Sequence, residues 1–391
     1  MAAESAKEFE ALEAQAATLL SLFTRAGYEP VAPSIIQPAD IFLDRVGEAI
    51  RNRTYVFNDL AGEELCLRPD LTVPVSRLYL ERHPDAKVEA RYCYNGPAFR
   101  FQPGGGSQAH PREFRQAGIE SFGAEDREKA DAETVLLALE AVRGAGLKDY
   151  ALRFGDIGLF YALLDALDLP ERWRLKLRHY FWRPPVFHVL LARLARGERP
   201  DGEGAAAALA ATISTEDVVR AEELVANYLE TKGLPLAGNR TLAEIVERLL
   251  DLAADLRAEP LKKEVATVID YYLAVSAKPQ EAIDRIALIA KGAGINLGEA
   301  LAAEARRFER LARDGIDLSN AIFATEFGRS LEYYSGLVFQ IETKGRETLH
   351  IAGGGRYDGL LTDLGSPRAV PAVGSAIHTE RLLAAIQGAT R

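Results

Sequence analysis

The strongest constraint on this chain is where its two kinds of periodicity lie. Stretches that suit a pleated strand sit towards both ends, and the long interval between them is written at helical spacing. Near the start, Phe9, Leu12, Ala16, Leu19, Leu20 and Phe23 fall on one helical face, and Gly27 is a natural stop. Tyr55-Val56-Phe57 and Leu65-Cys66-Leu67 flank DLAGEE and predict a hairpin with a longer loop. The aromatic-rich stretches RYCYNGPAFRF and REFRQAGIESFG predict extended chain on either side of a Gly-rich loop. From about Asp126 the chemistry changes. Residues 128–143 and most of 157–315 are rich in Ala, Leu, Glu and Arg, broken by turn clusters such as RGERPDGEG and KGLPLAGNR. Strand character returns in LEYYSGLVFQIET, with Leu337, Phe339 and Ile341 on one face, and then in TLHIAGGGRYDGLL. VPAVGSAIHTERLLAAI predicts a last strand running into a last helix. Strands at both ends with helices between them predict one α+β domain carrying a helical insertion.

Composition removes several function classes. A chain of 391 residues with 48% hydrophobic content has room for two or three packed domains. Its apolar runs are too short and too charged to span a bilayer, and the acidic start MAAESAKEFEALEA is no signal peptide. Only Cys66 and Cys93 are present, too few for a disulfide framework or a cysteine-based zinc site, so a reduced cytoplasmic setting and no metal are expected. A net charge of −10 speaks against a general nucleic-acid surface. HYFWRPPVFH (179–188) mixes aromatic and basic residues at spacing that suits packing. No P-loop, zincin helix or nucleophile elbow occurs. GGGRYDG (353–359) is dense in glycine but lacks the βαβ context of a dinucleotide site.

An ordered set of motifs says more. GYEPVAPSIIQPADIF resembles the first motif of class II aminoacyl-tRNA synthetases, a dimer-interface element, and LRPDLT (67–72) resembles the LRPE-type segment of histidyl-tRNA synthetases. GPAFRFQ with REFRQAGIESFG is similar to motif 2, and GRSLEYYSGLVF (328–339) to the family's RGLDYY signature. AGGGRYDGLL is similar to the neighbouring Gly-rich loop, and PAVGSAIHTERL to motif 3. The resemblance implies a class II synthetase-like antiparallel sheet flanked by helices. Its parts would be 1–165 and 311–391, with a helical insertion at 166–310. It is strong over about the first 160 and last 80 residues and loose in the middle.

A free histidine needs acceptors for its ammonium, a cation for its carboxylate and polar partners for its ring nitrogens. The resemblance puts Asp70, Thr72 and Gln116 at the amino group and Arg329 at the carboxylate. Glu120 and Tyr334 fall where the family reads the imidazole, with Tyr333 on the same wall. For such residues taken singly, a structural polar network is the competing reading.

The nucleotide side departs from the family. Arg100 is present, but the acidic position two residues on is Gln102. The loop PGGGSQAHP (103–111) carries only His110 as a potential cation before Arg112. Glu380 and Arg381 remain in motif 3, yet His378 stands where the family is small. Preorganised cations stabilise phosphoryl charge, so Arg100, Gln102, Arg112 and Arg381 are expected to form a vestigial nucleotide site. The chain also ends shortly after Arg381, where the family continues into an anticodon-binding domain. This pattern implies the regulatory-subunit branch that works with short-form ATP phosphoribosyltransferase. It would be a non-catalytic homodimer within a larger hetero-oligomer, with histidine as effector, no cofactor and neither tRNA nor membrane as partner. Two alternatives stay open: an active histidine-activating ligase, or a module that senses uncharged tRNA.

Overall fold

The computed structural model describes residues 5–43, 48–106, 111–198, 204–233, 241–328, 333–344 and 348–388. Arg329 and His110 lie outside the described residues. The chain divides into two compact units, one of residues 1–162 and 273–391 and the other of residues 163–272.

The first unit begins with α1 (Ala6–Arg25), β1 (Glu29–Pro30), β2 (Ile36–Pro38), α2 (Asp40–Leu43) and α3 (Glu48–Arg51). Next come β3 (Tyr55–Asn58), β4 (Glu64–Leu67), α4 (Thr72–Arg82), β5 (Ala90–Phe99) and β6 (Glu113–Phe122). Then α5 (Arg127–Gly144) and β7 (Tyr150–Asp156) lead to α6 (Ile157–Ala166), which runs into the second unit. Helix α1 starts at a capping box, Glu8 N–H on the Ser5 hydroxyl and Ser5 N–H on the Glu8 carboxylate. It buries Leu12, Gln15, Ala16, Leu19 and Phe23, and Gly27 follows it at φ +88°. Phe9 does not join that buried face. It is 49% exposed, under the Arg115 guanidinium.

The second unit is helical: α7 (Glu171–Tyr180), α8 (Pro184–Ala195), α9 (Ala205–Thr212), α10 (Val218–Thr231), α11 (Leu242–Arg257) and α12 (Lys263–Leu273). Ala210, Ile213, Ala221, Val225, Val246, Leu249 and Ala253 form one of its cores. The indole of buried Trp173 donates to the Glu259 carbonyl at 2.6 Å, and buried Asp255 accepts from Arg172 and Lys176.

The chain returns to the first unit through β8 (Ser276–Ala277), α13 (Pro279–Ala293), α14 (Gly298–Arg313), β9 (Ala321–Ala324), β10 (Leu337–Thr343) and β11 (His350–Arg356). It closes with α15 (Leu360–Asp363), β12 (Ala372–His378) and α16 (Thr379–Gly388). The insertion expected at 166–310 is therefore shorter. Residues 273–310 belong with the sheet because α14 is tied to α5 and β7 by buried charge. Arg307 donates to Asp131 and Asp156, both at 2.9 Å, and to Glu304 one turn earlier. Helical spacing cannot distinguish a helix of the insertion from one laid on a sheet.

The main sheet has the order β1-β5-β6-β12-β11-β10-β7-β9-β8. Its pairs are antiparallel except β1 with β5 and β7 with β9. The decisive pair is β6 with β12, which joins the two ends of the sequence, Gln116 opposite His378 and Phe122 opposite Ala372. Strands β7 and β9 were not anticipated. Strand β7 is set between α5 and α6, β9 is only four residues long and follows α14, and each is paired on both sides. A smaller sheet, β2-β4-β3, contains the anticipated hairpin. No helix among the described residues is long and apolar enough to cross a membrane.

Candidate functional site

Antiparallel register builds the site. Residues two apart on a strand share a face, so Gln116, Gly118 and Glu120 of β6 point the same way. Directly paired residues share that face too, which brings Tyr94 of β5 opposite Gly118 and Gly374 of β12 opposite Glu120. The Glu120 side chain needs the space this glycine leaves, since a Cβ at Gly374 would lie 1.6 Å from Glu120 Oε2. The neighbouring glycines are equally crowded. A Cβ at Gly354 would lie 2.0 Å from the Gly374 carbonyl, and one at Gly355 would lie 2.4 Å from that of Leu337.

Glu120 is held by three hydroxyls. Thr72 at the start of α4 donates to Oε1 at 2.7 Å, Tyr94 to the same oxygen at 3.0 Å, and Tyr357 to Oε2. Burial drives its carboxyl up to about 7, against the pull of those three donors and with the help of the Asp70 charge. Asp70 is likewise pushed up to about 6 by burial. Arg100, the Val73 N–H and Arg68 oppose that shift. Its Oδ1 accepts the Val73 N–H at 3.2 Å in the first turn of α4. Asp70 Oδ2 and Gln116 Oε1 are buried with no hydrogen-bond partner among the described residues.

Around these groups opens a cleft of about 340 Å³ including its mouth. Asp70, Thr72, Gln116, Tyr333 and Tyr334, the described residues that the family resemblance put around one ligand apart from Glu120, line it together. The Tyr333 and Tyr334 rings lie 5.0 Å apart, and Tyr357 sits 5.7 Å from Tyr333. Glu120 is not among the lining residues. It lies behind the wall, and Thr72 and Tyr357 present its charge to the cleft. Tyr94 and Tyr357, the other two hydroxyl partners of Glu120, are positions that sequence reasoning missed. Tyr94 was legible from β5–β6 pairing, and Tyr357 was hidden in a segment read only for its glycines.

Arg100 was expected on the nucleotide side. It also lines this cleft, with Nε on the Pro69 carbonyl at 2.9 Å and its guanidinium 5.0 Å from the Phe114 ring. Among the other residues expected to face a nucleotide or stand beside it, buried His378 packs its ring 5.2 Å from Phe114 and 5.4 Å from His350. Gln102 is buried and donates to the Pro111 carbonyl at 3.4 Å. Arg381 donates to the His350 carbonyl at 3.2 Å. Arg112 is exposed. Glu380 serves the backbone, accepting the Arg115 N–H at 2.6 Å. Among the described residues no cluster of His, Cys, Asp or Glu suits a metal ion. Asp70 Oδ2 and Gln116 Oε1 are acceptors and suit a ligand's donors, while the buried Ser375 hydroxyl, likewise without a partner among the described residues, can donate or accept.

Comparison with known proteins places this geometry. The histidyl-tRNA synthetase family model matches residues 4–259 and 223–382. An ATP phosphoribosyltransferase regulatory subunit from Mesorhizobium japonicum is 36% identical over 375 residues, covering 94% of this chain and 96% of that one. One from Brucella canis is 36% identical over 359 residues, covering 91% and 93%. Among solved structures, an ATP phosphoribosyltransferase regulatory subunit/histidyl-tRNA synthetase from Bacillus halodurans superposes with a TM-score of 0.67 at 20% identity, covering 99% of this chain and 82% of its own. A histidine–tRNA ligase subunit from Alicyclobacillus acidocaldarius gives 0.60 at 22% identity, covering 100% and 97%.

Proposed function

The chain belongs to the family of ATP phosphoribosyltransferase regulatory subunits, built on the histidyl-tRNA synthetase fold, and from that premise we propose that it is a non-catalytic subunit that senses free histidine. In this reading it partners a short-form ATP phosphoribosyltransferase, which depends on it for activity and for histidine feedback in the first step of histidine biosynthesis. The observation that carries the reading is a contrast within one sheet. A carboxylate pocket with unpaired acceptors lies beside a nucleotide side whose aromatic face is covered by the chain's own His378 ring. An ammonium and ring N–H groups suit the first. A nucleotide seated on Phe114 has to displace the His378 imidazole.

A second reading, a histidine-activating ligase, draws support from Arg100, which is kept and faces the cleft. The two readings separate in one set of assays. The regulatory subunit is expected to stimulate phosphoribosyl transfer by the short-form enzyme, to make that activity inhibitable by histidine, and to give no histidine-dependent pyrophosphate exchange into ATP. Clear exchange with no effect on the transferase promotes the ligase.

A further inference from the structure

Asp70, between β4 and α4, lines the cleft, and its buried Oδ2 has no partner among the described residues. Gln116 Oε1, in the same cleft, is also a buried acceptor without a donor. A buried acceptor left unmet carries its full desolvation cost, so a donor supplied from outside is favoured there. Two candidates compete for the Asp70 oxygen: the ammonium of an amino-acid ligand, or a proton from solvent.

We propose that ligand ammonium and a proton compete for Asp70 Oδ2, so that acidification by itself weakens amino-acid binding at this site. The inference rests on the reading of the cleft as an amino-acid pocket and adds its dependence on protons.

The surroundings of Asp70 support it from every side. Arg100, just past β5, and Arg68, at the end of β4, favour the ionised form. Glu120 on β6 opposes it, its own carboxyl being raised in part by the Asp70 charge. Burial above all, with the Asp70 charge adding to it, disfavours ionisation of the phenols of Tyr94 on β5 and Tyr333, so both stay neutral. Thr72, Gln116 and Ser375 line the cleft as uncharged groups. Burial dominates this balance and brings the Asp70 carboxyl to about 6, within reach of mild acid. The sign follows directly. Above about 6 the oxygen is free to accept the ammonium, and as pH falls through that value the proton takes the place.

The ligand's own ring titrates nearby, so the test compares two ligands that share it. L-Histidine and its des-amino analogue, imidazolepropionate, carry the same ring and carboxylate, and only the first has the ammonium. Their affinities for the full chain are measured by calorimetry from pH 5 to 8. The ammonium lowers the ring pKa of histidine relative to the analogue, so each affinity is first corrected for the separately measured ring titration of its free ligand. The corrected ratio is expected to hold steady at the alkaline end and to fall, towards about tenfold per unit, as pH drops below about 6. Asp70→Asn keeps an acceptor oxygen but cannot ionise. Against wild type, its pH profile for histidine alone should lose one power of ten per unit in that range, which serves if the analogue binds too weakly to measure. A pH-independent ratio, or parallel profiles for wild type and Asp70→Asn, overturns the proposal. Failure of both ligands to bind folded wild type at any pH instead removes the amino-acid pocket reading, and the inference goes with it.

Discussion

At the scale of single residues, Glu120 and His378 set the terms. Glu120 keeps its proton up to about 7 in the folded chain, whereas an ordinary Glu loses it near 4.5. The folded state therefore binds more protons across that interval. The resulting stability is fully present below 4.5 and is lost as pH rises towards 7, an effect on the order of 3 kcal/mol. Denaturant titrations of the ligand-free chain should show that slope, and Glu120→Gln should flatten it. Glu120→Ala is expected to be harsher, because it strips the acceptor from Thr72, Tyr94 and Tyr357 at about 1–3 kcal/mol for each buried group left unmet. Histidine affinity should fall with it. His378→Gly should give measurable adenine-nucleotide binding that wild type lacks, since it bares the Phe114 ring. A folded variant that still ignores nucleotide counts against the blocked-site reading. Much of the cleft was legible residue by residue, through motifs that fixed Asp70, Thr72, Gln116, Tyr333 and Tyr334. The position of Glu120 behind the wall was not, because depth depends on which hydroxyls reach a carboxylate, and spacing along the chain carries no record of that.

At the scale of elements, the hairpin, the long β5–β6 pair and the last strand and helix followed from alternation and turn residues, and they formed as anticipated. What sequence pattern could not apportion was the helical middle, because an amphipathic stripe states that a face is buried without stating against what. Arg307 is the sharper indicator. Its guanidinium serves Asp131 of α5, Asp156 of β7 and Glu304, all nearly inaccessible to solvent. Arg307→Met should cost about 3–5 kcal/mol, since removing one partner leaves uncompensated buried charge. A shift in chemical-denaturation midpoint without a change in slope reads it out. The small sheet makes a separate statement. Ile36 and Phe57 on its outward face are 51% and 37% exposed, near the motif-1-like stretch expected at a dimer interface. Sedimentation of wild type should show a homodimer, and Ile36→Asp with Phe57→Asp should shift it towards monomer. A wild-type monomer at micromolar concentration speaks against the dimer.

At the scale of the whole molecule, the joining of two distant segments by β6 and β12 means that the cleft forms only when both ends of the sequence are in place. Regulation at this level is a statement about linked equilibria. If histidine alters the subunit's affinity for the transferase, the transferase must alter histidine affinity by the same factor, typically about 5–150-fold. Calorimetry with and without the partner should return equal coupling in both directions, and zero coupling in either would detach the cleft from feedback. The run of glycines through β11 and β12 has one more consequence. At Gly374, where a neighbouring side chain leaves no room for a Cβ, the floor of the cleft is bare peptide, flanked by Ser375 and Ala376. That part of the floor cannot be re-lined by substitution. Any relative that evolves, or is engineered, to hold a different ligand has to change the walls and leave that part as it is.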